Sequence, residues 1–558
     1  MFVKKSWNTK IGKKSICYQI VTSYRPSKGK NPRTKVLANI THLPKPLIEK
    51  ISFLLKSPNA KIISDLRSFF KKSFSFGPIV FLYLFMKKIK IIDCLEILPI
   101  RSRTLLIGVI LNRILEPRSK LGSISWVKRT VFPILFGMDK NKLIVNQIYR
   151  AMDILYKNMD KVLDNFFQSN KKQPFLLLYD ITSIFFEGTG PIKLAKYGYS
   201  RDNRSNNVQI LLCLCLNEEK LPIYFDIIEG DIPDKKTVIP LIKKLQNKFS
   251  LTQSIFIGDR GIVSVENLEY IEKEGLDYIV GLTHRQAREL IYQKEIQPEL
   301  FDQEMPMTIY TEEKKKYVLC GSRYRKEHDI ILLTHLLEKG KKALKEVEKM
   351  VEEGRLKDYT KVIRRAQKKL SQSGCENFYD FKYKDGKFQI IEKDWFIQKA
   401  KSLCGYYILE TTKIDMPDKE IETHYKQLKF VEDAFKQLKD LIEIRPIFHW
   451  KEPRVKTHIF LCILAQTTVN KIKDRLKETG WLNEEKGNSF SHFLDILYET
   501  ELGIFEIERI KQPIITQITD QQRQLLKLFN IQERYFTDFN ETKEICRLSK
   551  KRYFPRCQ

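Results

Sequence analysis

Three short apolar runs follow one another between Pro174 and Gly230: FLLLYD, NVQILLCLCL and LPIYFDIIEG, each bounded by turn or polar residues. Runs of this length and punctuation read as three adjacent β-strands. The texture then alternates. A helix is expected over about 237–249, capped by Asp234, then an apolar strand in SIFIGDRG, a helix near 265–273 and a strand in DYIVGL. A chain with this order is committed to a mixed α/β sheet.

Three strands followed by alternating helix and strand describe a ribonuclease H-like mixed sheet. Polar strand-like pieces, KKYVLCGSRYR and KFQIIEKDW, then flank a charged segment over 336–370 that reads as one exposed helix with Lys and Glu at i, i+4. Sheet texture resumes at GYYILETT and leads into helices over about 419–441 and 453–476. The sheet is therefore read as interrupted by an insertion. Ahead of it, TLLIGVILNRIL has helical apolar spacing, Pro117 marks a stop, and another helix is expected after Ser119. A length of 558 residues suggests three or four folding units. The expected organisation is a basic, mainly helical domain over 1–170, the first part of the core over 171–283, an insertion domain over 284–404, the second part of the core over 405–475, and a helical region over 476–558. No helix-turn-helix can be pinned down in the first of these.

Charge narrows the partner. There are 99 Lys and Arg against 68 Asp and Glu, a net +31, and a field of that sign favours polyanions. Residues 1–90 hold 20 Lys or Arg against only Glu49 and Asp65, so this sixth of the chain carries 18 of the net charges. Drift toward lysine codons would spread the excess evenly. No strongly amphipathic basic helix with a wide aromatic face points to a membrane surface, so nucleic acid is preferred. The longest apolar run, 79–86, is far short of the roughly 18 residues that span a bilayer. The amino terminus has no apolar stretch of secretory type, which predicts a cytoplasmic protein, nucleoid-associated where its polyanion is DNA. Ten dispersed cysteines without a CxxC pair read as buried packing residues, with Cys213 and Cys215 on one side of a strand.

Two aspartates end apolar strands: Asp180 in FLLLYD and Asp259 in SIFIGD. At the carboxyl edge of an open α/β sheet both would enter one crevice. Either alone reads equally as a turn former or a helix cap. Together they suit phosphodiester chemistry, in which converging carboxylates hold divalent ions beside the reacting oxygens. Glu432 is the candidate third carboxylate. On its helix Tyr425, Glu432 and Lys439 are seven residues apart and fall within a 40° sector at about 100° per residue. Leu428, Val431, Phe435 and Leu438 form the adjoining stripe that would dock the helix on the sheet. A plain i, i+4 pairing of Glu432 with Lys436 is the competing reading.

These residues resemble the DDE transposases of bacterial insertion sequences, in the branch with a Tyr/Arg/Glu/Lys signature and a strand-rich insertion before the catalytic Glu. The resemblance rests on YDITS (179–183), EGDIPDKKT (229–237), GDRGI (258–262) and YKQLKFVEDAFKQLKD (425–440), and extends through LIEIRPIFHWKEPRVKTHIFLCILA (441–465). It implies that Asp180, Asp259 and Glu432 are the metal-binding catalytic triad, with Mg²⁺ as the ion and Mn²⁺ as a substitute. It also implies that Tyr425 and Lys439 contact phosphates at the transposon end. The family's arginine three residues after the tyrosine is Leu428 here. Lys429 or Lys436, on the polar side of the helix, are expected to supply the missing charge. The activity implied is hydrolysis at the ends of an element, then attack of the freed 3′ hydroxyl on target DNA. The partners implied are double-stranded DNA and at least one further copy of the chain, with no membrane. A catalytically silent transposase-derived DNA-binding regulator, or another ribonuclease H-like nuclease, would share much of this pattern.

Overall fold

The computed structural model describes residues 1–10, 13–26, 31–56, 70–168, 174–249, 251–262, 264–294, 296, 305–483, 487–507 and 510–547. The chain divides into two compact units, Met1–Ser73 with Gly503–Ile514, and Phe74–Leu502 with the residues from Ile515 onward.

The first unit corrects the expectation of a mainly helical start. Strands β1 (Phe2–Lys10), β2 (Lys13–Tyr24) and β3 (Arg33–Asn39) form an antiparallel sheet in the order β1-β2-β3. The Lys45–Lys56 helix packs against β1, and strand β4 covers Phe70–Ser75. The alternation of Ile16, Tyr18 and Ile20 is a period-two signal that the density of lysines obscures. Helices do fill the expected part of the second unit, at Gly77–Lys88, Ile100–Leu115, Lys120–Arg129, Val145–Lys157 and Met159–Gln168. Ser119 caps the third of these, its hydroxyl accepting from the Gly122 amide at 3.2 Å.

The second unit is built on an eight-stranded sheet. Its strands are β5 (Leu176–Phe185), β6 (Gln209–Leu216), β7 (Pro222–Glu229), β8 (Ile255–Gly258), β9 (Asp277–Gly281), β10 (Met307–Thr311) and β11 (Lys316–Gly321). The hairpin β12 (Tyr379–Lys384) and β13 (Lys387–Glu392) lies apart from that sheet, and β14 (Tyr406–Thr411) completes it. The order is β10-β11-β14-β9-β8-β5-β6-β7, with β8 parallel to β5 and β9, and antiparallel pairing elsewhere. One face of β5 and β6 carries Leu177, Tyr179, Ile181, Leu211, Cys213 and Cys215 into a core closed by the Val238–Phe249 and Val265–Lys273 helices. Burial pushes the Cys213 thiol up to about 12, which suits a packing role. Eight of the nine described cysteines are buried, and Cys17 is half-buried.

Inserted residues between β9 and β14 do two different things. β10 and β11 extend the main sheet beyond β14, so this part is continuous with the core. The charged segment is not one exposed helix. It belongs to two helices, Arg323–Glu352 and Tyr359–Ser373, packed on each other and on β12 and β13. Leu344, Val347, Val362 and Ala366 are buried between them. The Lys and Glu pairs are the outer faces of helices whose inner faces make a core.

The Glu452–Glu478 helix runs past the expected 453–476 at both ends and is buried along most of its length. It packs against the Ile100–Leu115 and Val145–Lys157 helices. The region after it is not all helix. Strands β15 (Glu501–Ile507) and β16 (Ile510–Ile515) form a sheet in the order β16-β15-β4, where the rings of Phe70 and Phe505 meet edge to face at 5.5 Å. No helix of the described residues is long and apolar enough to cross a membrane.

Candidate active site

Asp180 does not end its strand, because β5 continues to Phe185. Its position relative to Asp259 follows instead from register. Tyr179 pairs with Gly258 in the parallel β5–β8 ladder, and β8 stops there. The next residue on each strand is therefore an aspartate, Asp180 beside Asp259, on strands roughly 4.8 Å apart. Because β8 ends, β5 loses its neighbour on that side until Phe186 bridges Ile447. The gap is the floor of a cleft. Side chains alternate along β5, so Tyr179 enters the core, its hydroxyl donating to Thr237 Oγ1 at 2.8 Å, while Asp180 points to the opposite face.

The helix over the cleft is interrupted. Asp418–Lys426 and Lys429–Asp440 are separate helices. The amides of Leu428, Phe430 and Val431 donate to the carbonyls of Tyr425, Gln427 and Leu428 at 2.8–3.0 Å, the i→i+3 pattern of a tightened turn. Tyr425 and Glu432 therefore stand on different helices and approach the cleft separately. Val431, Ala434, Phe435 and Leu438 are buried, as is Leu428, and the second helix rests on β5 and β6. That stripe leaves Glu432 at the rim.

One cleft of about 480 Å³ is lined by Asp180, Asp259 and Glu432 together with Lys436, Lys439, Arg201 and Arg445. Asp180 is the least solvated of the carboxylates. Burial first, and then the charges of Asp259 and Glu432, raise its carboxyl to about 7, against the opposing pull of the Ile181 amide, which donates to its Oδ1 at 2.7 Å, and of Arg201. Burial and the charges of Asp259 and Asp433 also raise Glu432, while Lys429 lowers it. Mutual repulsion among carboxylates around a shared space is the electrostatic signature of a site suited to cations. Among the described residues no three His, Cys, Asp or Glu side chains converge on one point as ligands of a single ion. The three carboxylates share the cleft as rim and floor. Residues 173–467, more than half of the chain, match the family model of the transposase DDE domain. The chain belongs to the DDE-domain transposase family. No curated protein matches it. Among solved structures it is similar to the cryo-EM structure of piggyBac transposase synaptic complex with hairpin DNA, with 9% identity over 82% of this chain and 78% of that one and a TM-score of 0.39.

The remaining expected residues of this DDE-domain chain are placed as follows. The hydroxyl of Tyr425 donates to Asp259 Oδ1 at 3.3 Å, and its ring lies 5.9 Å from that of Tyr407. Lys439 lines the cleft but is held by Asp202, Nζ to Oδ1 at 2.9 Å, and Arg445 binds the same oxygen. Burial lowers the Lys439 ammonium although Asp202 opposes this. Lys436 lines the cleft and both it and Lys429 are exposed.

Arg201, Asp202, Asp234 and Arg445 were not anticipated. Asp234 was expected to cap a helix. It lies in a 3₁₀ turn, Asp234–Lys236, and its carboxylate pairs with Arg201. Pairs formed across 33 and 243 residues of sequence leave no local pattern, and only the position of YSRD beside a strand hinted at them.

Gly281, at the end of β9, sets how close Tyr425 comes. A Cβ there would lie 2.5 Å from the phenol oxygen and 3.1 Å from Cζ. Gly281→Ala is expected to displace Tyr425 from Asp259 and to lower DNA cleavage about tenfold, with about 1–3 kcal/mol of destabilisation from overpacking. Tyr425→Phe should reproduce the catalytic loss without the change in melting temperature. Parental cleavage in Gly281→Ala would show that Tyr425 plays no part.

Proposed function

We propose that the chain is a transposase that binds the ends of an insertion sequence, cleaves DNA there and joins the 3′ ends to target DNA. The observation that carries this reading is the register placing Asp180 beside Asp259, with Glu432 lining the same cleft. The order β7-β6-β5-β8-β9, antiparallel for the first three strands and parallel from β5 through the next two, supports a ribonuclease H-like core.

In this reading Asp180, Asp259 and Glu432 would hold the divalent ions, Mg²⁺ with Mn²⁺ as substitute. Such ions, when bound, supply charge neutralisation at the scissile phosphate and an acidified water nucleophile. The protein's own part is positional. β5 and β8 fix the two aspartates by backbone register, and the buried stripe of the Lys429–Asp440 helix fixes Glu432. Tyr425 orients Asp259 by its hydroxyl. Lys429 and Lys436 meet the phosphates of the transposon end, replacing the arginine absent at Leu428. Lys439 joins them once phosphate displaces Asp202. Synapsis of two ends implies at least two copies of the chain.

The direct test is incubation of the purified chain with DNA carrying its flanking terminal repeats, with and without Mg²⁺. Specific nicks at the element's ends followed by strand joining support a transposase. Cleavage without joining favours a nuclease, and binding without cleavage favours a regulator. The Lys429→Ala, Lys436→Ala double variant is expected to weaken end binding and cleavage together with its melting temperature nearly unchanged. Each lost phosphate contact should flatten the salt dependence by about 0.9 in log K against log salt. Parental cleavage across a range of salt would remove both lysines from the interface.

A further inference from the structure

The segment 191–200, between β5 and β6, combines a fixed backbone with three largely exposed apolar side chains. Ile192, Tyr197 and Tyr199 are 85%, 67% and 83% exposed. Single exposed apolar residues are ordinary, but three within eight residues need a reason. Their backbone is tightly held. Lys196 exchanges both amide hydrogen bonds with Gln209 of β6 at 2.8 and 3.1 Å. The Gln209 side chain is buried, and its Nε2 donates to the carbonyls of Tyr199 at 3.0 Å and Gly230 at 2.9 Å. Gly198, between the two tyrosines, sits so close to Gly230 that a Cβ would lie 2.1 Å from its carbonyl oxygen. Leu194 and Ala195 are buried beneath. Two aromatic rings are thus mounted on a backbone that β6 and the end of β7 immobilise.

The charges carried by the segment itself are cationic, although Glu229 and Asp231 are exposed on either side of its backbone partner Gly230, and the segment is continuous with the cleft. Lys193 and Arg204 are exposed, and the segment runs directly into Arg201, which lines the cleft, and Asp202, which holds Lys439. Exposed aromatic faces interleaved with Lys and Arg are what unpaired bases use: the rings stack on bases and the cations meet the backbone phosphates. Duplex DNA offers no free base face, so the rings would engage only nucleotides released from pairing.

We propose that Tyr197 and Tyr199 form a stacking platform for unpaired nucleotides of DNA lying in the Asp180 cleft. This rests on the reading that the cleft takes DNA, and adds a preference that reading does not contain. The ordering cost is small because the backbone is already set, so the stacking energy appears as affinity. A second copy of this chain is the competing occupant, and the flanking lysines and arginines favour a polyanion over a like-charged surface.

The test uses the full chain and two probes of the same sequence, a blunt duplex and a duplex with an unpaired extension carrying 2-aminopurine. The parent is expected to bind the extended probe about tenfold more tightly and to quench its fluorescence by stacking. The Tyr197→Ala, Tyr199→Ala variant should lose that preference and the quenching at unchanged melting temperature. The Tyr197→Phe, Tyr199→Phe variant should keep both, since the ring and not the hydroxyl is used. Equal binding of the two probes by parent and alanine variant overturns the platform while leaving the cleft reading intact. Failure of the parent to bind either probe overturns both. An alanine variant that changes sedimentation of the free protein and retains the preference assigns the tyrosines to self-association instead.

Discussion

Asp180→Ala, Asp259→Ala and Glu432→Ala should each reduce cleavage of DNA ends by on the order of 1,000-fold, roughly 4 kcal/mol of transition-state stabilisation. Binding of those ends should change little. The separation follows from charge: a carboxylate by itself repels phosphate, so removing one takes away no direct attraction for DNA, whereas the divalent ions it would help to hold would act mainly where charge develops. Glu432 is the most informative of the three. It stands on a helix seated by Val431, Ala434, Phe435 and Leu438, so its truncation leaves the packing untouched. A cleavage assay in Mg²⁺ beside a gel-shift titration measures both quantities, and cleavage surviving in any variant removes that residue from the triad.

Asp180→Asn should do the opposite to stability. The carboxyl of Asp180 rises from an ordinary value near 3.8 to about 7, chiefly by burial. Between those values the folded chain holds a proton that the unfolded chain has released, so stability falls as pH rises through this window and stays lower above it. Removing the ionisable group should therefore stabilise the protein above pH 7, by as much as about 4 kcal/mol, and leave it unchanged near pH 4. A divalent ion bound beside Asp180 would favour the ionised form and give the parent the same relief. Melting curves at acid and neutral pH, with and without Mg²⁺, should show the variant melting higher than the parent without the ion. They should also show the parent alone responding to it. A parent whose melting temperature ignores Mg²⁺ at neutral pH would sink the assignment of Asp180 as a ligand.

What could be read before folding was whatever repeats along the chain. The apolar runs ending near Asp180 and Asp259, and the stripe that seats Glu432, are periodic features, and they brought the three carboxylates to one cleft. Asp180 was nevertheless placed at a strand end, because the polar texture of ITS masks a strand that continues to Phe185. The break at Gln427–Leu428 was invisible for a related reason, since no Gly or Pro marks a turn made only by tighter backbone hydrogen bonds. The strands of residues 2–39 were hidden by lysines occupying positions that alternation would otherwise reveal. Asp202 with Lys439 and Arg445, and Arg201 with Asp234, are contacts between distant segments, and single-sequence pattern cannot carry those.

The position of β14 between β9 and β11 has a consequence for the order in which the protein comes off the ribosome. Asp180 and Asp259 can pair as soon as β5 and β8 have emerged, but β9 receives its outer neighbour only after the whole inserted stretch has been made, and Glu432 lies beyond that. At about 5–20 residues per second, the interval from Asp259 to Glu432 is about 10–35 s of synthesis. During that time the nascent chain already displays its basic amino-terminal segment, and lacks the third carboxylate. On the function proposed above, a polypeptide able to hold DNA would exist before one able to cut it, and an incomplete product of interrupted translation would be a binder without cleavage activity.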